Sequence, residues 1–153
     1  MSALSRDPAA AIQAGVYAAL AASPQLAAAF GGAARIYDAP PANPNGASIA
    51  DFPYVTLGED HSVGQTDQAM DGTETFVTVD VWSRATSYGE AKLIGGAVRD
   101  ALSAPIALAG HRVVTWTFHA AVYRREADGV TRRGIVTFRF ETVPDLATAA
   151  FGP

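Results

Sequence analysis

The chain has 153 residues, 49% of them hydrophobic and 17% charged, a size and balance that fit one soluble domain spanning 1–153 with a core of its own. No stretch approaches the roughly eighteen apolar residues of a membrane span, and the alanine-rich start lacks the basic and strongly apolar segments of a signal peptide, so cytoplasmic residence is expected. With no cysteine, disulfides, thiolate metal sites and cysteine nucleophiles are excluded, and a net charge of −4 singles out no class of partner.

Asp7 before Pro8 marks a helix start, and Ile12, Val16, Ala19 and Leu20 recur behind it at helical spacing. Ser23-Pro24 repeats the signal for a short second helix, with Leu26 and Phe30 as core contacts and Gly31-Gly32 as a left-handed end. Ile36-Tyr37 suggests a brief strand. The stretch 38–51, with three prolines, two asparagines and a glycine, reads as a surface loop. A strand over 54–59 follows, with Pro53 at its edge, and the polar, acidic stretch 61–72 reads as a second long loop.

Thr73 to Ser83 alternates as a central strand, with Val77, Val79 and Val81 on one face and Phe76, Thr78, Asp80 and Trp82 on the other. Apolar area on both faces calls for a partner or a second layer over the Phe76/Trp82 side. Ser87 to Glu90 has the spacing of a capping box, and Ala91, Ile94, Val98, Ala101 and Leu102 form the stripe of the helix behind it, stopped by Pro105. Gly95-Gly96 in its middle costs roughly 1 kcal/mol per glycine against alanine, and close packing on a sheet accounts for that better than phosphate binding.

The strongest local signal is a long hairpin, His111–Arg125 and Gly134–Val143 around Asp128-Gly129. Period-two spacing puts Val114, Trp116, Phe118, Ala120 and Val122 on its core side, with Val136, Phe138 and Phe140 opposite. The first arm is long enough to project beyond the domain, which would make Arg124, Arg125, Glu126, Asp128, Arg132 and Arg133 a partner-docking tip. Residues 1–6 and 145–153 read as flexible tails. The expected fold is α+β: an antiparallel-rich sheet with a long C-terminal hairpin, packed against two main helices on one face.

Chemistry is sparse. His61, His111 and His119 lack metal-site spacing, and no nucleophile elbow, phosphate loop or zinc-protease motif occurs. Asp60, Asp67, Asp71 and Glu74 could gather into an acidic loop facing a neighbour or a channel, but their spacing is not that of a calcium loop. No enzyme activity, metal or cofactor is expected. The arginines of the hairpin leave a nucleic-acid-binding module open as an alternative, which would bind DNA in a salt-dependent way. Between Arg35 and Arg84 lie eight acids and no base, whereas Arg84 to Arg139 holds nine bases and four acids. That asymmetry either is solvated or lets neighbouring copies meet head to tail.

The segments Val16-Tyr17-Ala18-Ala19-Leu20, Arg35 to Pro41, Phe52 to Glu59, Val81-Trp82-Ser83-Arg84 and Leu108 to Arg112, in that order, resemble the tail completion or tail terminator family of long-tailed phages, prophages and phage-like gene transfer agents. The resemblance implies a non-enzymatic structural protein forming a ring, a hexamer, at the head-proximal end of the tail tube. Such a ring ends tube polymerisation, touches the tail tube protein and the head-completion or stopper protein, and lets DNA pass without sequence-specific binding. It would assemble in the host cytoplasm and remain in the particle tail. A stopper role is the alternative within the same structural class.

Overall fold

The computed structural model describes residues 6–46, 51–65 and 72–145. Helices α1 (Ala9–Ala21) and α2 (Pro24–Ala29) precede strands β1 (Ile36–Tyr37), β2 (Tyr54–Gln65) and β3 (Gly72–Ser83); α3 (Gly89–Ala101), β4 (His111–Arg125) and β5 (Arg132–Pro144) follow. The sheet runs β1-β2-β3-β5-β4, antiparallel throughout except where β1 lies parallel to β2. This is the expected α+β fold with a mostly antiparallel sheet.

The helix starts follow their local chemistry with two departures. Asp7 Oδ1 accepts the Ala9 N–H at 2.9 Å, but Pro8 rather than Asp7 holds the cap position. Ser23 caps α2 as its sequence dictates, accepting the Leu26 N–H at 3.0 Å, and Gly31 is left-handed at φ 77°. At α3 the capping box does not form. Tyr88 holds the cap position, and the Glu90 carboxylate instead takes the hydroxyl of Ser83 at 2.7 Å, which ties the helix to the end of β3.

All three helices cover one face of the sheet. Ile12, Val16 and Leu20 of α1, Leu26 of α2, and Ile94, Ala97 and Val98 of α3 form one cluster with Val55, Val77, Val79, Val81, Val136, Phe138 and Phe140. Each buried Val, Leu, Ile or Phe of this cluster contributes about 1.5–3 kcal/mol of transfer free energy, which makes this layer the main source of stability in a chain without disulfides.

The first arm of the hairpin departs from strict alternation. Register shifts at Val113/Thr115 and Phe118/Ala120 each place one extra residue on β4, so the facing parity changes twice along the strand. Trp116 and Phe118 pack against the core as expected, whereas Val114 and Val122 are about half exposed. Past the second bulge Tyr123 turns toward α3, coming close to Gly95 and Gly134.

Two further expectations are corrected. The stretch read as a loop from His61 begins as strand, because β2 continues to Gln65 on the backbone bonds that β3 supplies; polar side chains do not prevent pairing when both faces reach water. The hairpin does not project either. β5 pairs with β3 from Thr142 to Arg132, which lies opposite Ser83, so only the turn passes the sheet's end.

Candidate functional site

The hairpin end separates its four arginines into two pairs. Arg124 and Arg125 are exposed, and Arg124 pairs with Glu126 at 3.2 Å. Arg132 is buried: its Nη1 donates to the Ala85 carbonyl at 2.7 Å, and its guanidinium lies over the Tyr88 ring at 5.4 Å. Arg133 donates to Asp80 at 3.0 Å and lies over Trp82 at 4.9 Å. Arg132 and Arg133 therefore hold the hairpin to β3 and the loop before α3, which leaves Arg124 and Arg125 as the outward charges.

Asp128 organises the turn. Its carboxylate accepts the N–H groups of Val130 and Thr131 at 2.9 and 2.8 Å and the Thr131 hydroxyl at 2.6 Å. These bonds hold the Asp128 carboxyl below the usual aspartate range, the Thr131 hydroxyl contributing most. Arg84 reaches the same threonine from the end of β3 at 3.2 Å.

Beside this turn a groove of about 490 Å³ is lined by Phe52, Tyr54, Trp82, Arg84, Glu126, Ala127, Asp128 and Thr131. Arg84 stacks over Phe52 at 4.2 Å, and Tyr54 stacks with Trp82 at 6.2 Å between centroids. The groove opens on the sheet face opposite the helices, where Phe76, Trp82, Arg133 and Arg139 also lie. Among the described residues no helix covers that face. His61 stacks on Phe76 at 5.0 Å and His119 meets the same ring edge-on at 5.1 Å, so two histidines far apart in sequence flank one phenyl ring. Sequence spacing missed this row because it needs the pairing of β2 with β3 and the second bulge of β4.

The acidic set does not come together. Asp67 and Asp71 lie outside the described residues. Asp60 stands on β2 opposite Val77, toward the helix side of the sheet, and Glu74 stands on β3, where it pairs with Arg139; Arg139 also pairs with Glu141 and lowers that carboxyl's pKa. Among the described residues no group of three or more His, Asp or Glu could hold a metal ion, and no helix is long and apolar enough to cross a membrane.

Strand order turns the asymmetry along the chain into asymmetry across the sheet. Asp38, Asp51, Glu59 and Asp60 sit at the β1–β2 edge, while Arg112, Arg124 and Arg125 sit on β4 at the other, with Lys92 and Arg99 of α3 beside it. Arg99 lies 3.8 Å over Phe118 of β4.

A helix-backed sheet with one face that no helix covers among the described residues, and with oppositely charged edges, offers broad surfaces to neighbouring proteins. The class of protein follows from its relatives. A family model described as tail completion protein gp17 matches residues 14–142, and the chain belongs to that family. A chain from the virion of a native gene transfer agent particle matches at 33% identity and TM-score 0.78, over 91% of this chain and 99% of its own length. The gp17 protein of bacteriophage SPP1 shares the fold, at 23% identity and TM-score 0.53, over 89% of this chain and 91% of that one. No curated protein sequence matches. The chain is thus a structural tail protein of a phage or gene transfer agent particle, and it meets other proteins of that particle.

Proposed function

We propose that this protein ends the tail tube. Copies assemble as a ring, a hexamer, on the head-proximal end of the tube, stop its polymerisation and present the surface that joins tail to head. The observation that carries this reading is the end-to-end match with a chain of the gene transfer agent virion, within a family described by tail completion. The ring touches the tail tube protein on one side and the head-completion or stopper protein on the other, and the exposed Arg124 and Arg125 of the hairpin turn face one of these neighbours. DNA passes through without sequence-specific binding, no catalytic step is involved, and assembly takes place in the host cytoplasm.

Labelling tests the location. An epitope tag on this chain, marked with gold on purified particles, is expected at one point, the junction of head and tail. Label along the tube or at its distal tip overturns the proposal. A head-side stopper gives label on heads purified without tails, whereas a tube-ending protein gives label on tails purified without heads.

A further inference from the structure

The two charged edges of the sheet are separated by four strand spacings, about 19 Å, so one copy cannot bring its own edges together. Their complementarity is available only between copies. At the acidic edge a notch of about 80 Å³ lies between α1 and β2, and Asp38 and Asp60 both line it. Gln13 donates to Asp38 at 3.2 Å across this notch. Among the described residues Asp60, Arg112 and Arg125 have no ionic partner.

The basic edge carries a second feature that points to a neighbour. Lys92, Gly96 and Arg99 fall within a roughly 60° sector of α3, on the flank over β4. Gly95 is explained by the ring of Tyr123 packed on it, but a Cβ on Gly96 would meet nothing within 4 Å. An exposed glycine in mid-helix is unfavourable against alanine, and packing within the described chain gives no reason for it. Close approach of another backbone gives one.

We infer that the α3–β4 flank of one copy docks on the β1–β2 edge of the next, with basic side chains of the flank against the Asp38–Asp60 notch and Gly96 admitting the neighbour's backbone. The inference rests on the ring reading above and names its contact. The contact is heterologous, joining two different surfaces, as a closed ring requires. The three register shifts, one on β2 and two on β4, twist both edges away from plain strand addition, so charge and shape rather than backbone pairing set the register.

Charge exchange tests it in cells that make the particle and lack the native copy. The variant Asp38→Lys/Asp60→Lys reverses the charge of the notch, and Lys92→Glu/Arg112→Glu reverses two bases of the flank. Each alone is expected to lower the yield of joined particles at least tenfold while the purified chain keeps its thermal unfolding. Expressed together they alternate around an even-numbered ring, and joining returns. Gly96→Gln is expected to unfold at or above the wild-type temperature and yet lose joining. Normal joining with either charge variant alone, failure of the mixture to restore it, or unchanged joining with Gly96→Gln overturns the contact. If removing the gene altogether leaves tails joined, the ring reading itself fails; if the gene is needed but both charge variants are tolerated, only this contact fails.

Discussion

Tyr123 of β4 lies across Gly95 of α3 so closely that a Cβ on the glycine would fall within 3.0 Å of Tyr123 Cζ and closer still to the hydroxyl. Gly134 flanks the same ring, where a Cβ would lie 2.8 Å from Cε1. Two glycines thus form the slot in which one tyrosine joins helix to sheet. Burial pushes the Tyr123 hydroxyl up, partly offset by the nearby Arg99.

Gly95→Ala should therefore overpack the helix–sheet contact and cost about 2 kcal/mol, whereas Gly96→Ala, in open space, should gain about 1 kcal/mol. Thermal unfolding separates them, at about 2–4 °C per kcal/mol for a chain of this size. Equal effects of the two substitutions would contradict the slot.

The Asp80–Arg133 pair spans β3 and β5, with the aspartate side chain 6% exposed and the arginine 25%. Asp80→Ala leaves a half-desolvated guanidinium without its carboxylate and is expected to cost about 1–3 kcal/mol in urea unfolding. Asp80→Asn keeps an acceptor and should lose less.

Arg132 and Arg125 face each other across the hairpin and should behave as opposites. Arg132→Ala removes the bond to the Ala85 carbonyl and the cover over Tyr88, with a loss of about 1–3 kcal/mol expected. Arg125→Ala should leave stability within about 0.5 kcal/mol, as surface changes do, while reducing joining of tail and head. Urea unfolding together with counts of joined particles reads both.

The lowered Asp128 pKa fixes how the turn responds to acid. A carboxyl whose folded pKa lies below its unfolded value stabilises fully above the unfolded value and loses that contribution as pH falls through the folded one. Amide protection at Val130 and Thr131 should persist through the ordinary aspartate range and disappear only below it. Asp128→Asn should remove this pH dependence. Loss of protection at the ordinary aspartate pKa in the wild type would contradict the hydrogen-bond arrangement.

Much of the fold is legible because it rests on local chemistry. Ser23-Pro24 caps α2, Asp128-Gly129 turns the hairpin, and the Val77-Val79-Val81 alternation places β3 in the core. What stays hidden depends on pairing between distant segments. The bulges that expose Val114 and Val122 leave no mark in a period-two pattern, and the continuation of β2 to Gln65 is dictated by its partner strand rather than its own composition. The candidate site follows the same division. The arginines of the turn are evident as a cluster, but that two of them are tied to Asp80 and Ala85 requires the sheet. The eight acids between Arg35 and Arg84 are plain in the sequence, and only strand order shows that several of them reach the edge opposite the bases.

The most direct measurement is electron microscopy of particles from cells lacking this gene, with tail length and head attachment scored against cells carrying it. Tube termination predicts tails of uncontrolled length, unattached to filled heads, and restoration of both properties when the gene is returned. Tails of normal length joined to heads in its absence would contradict the account.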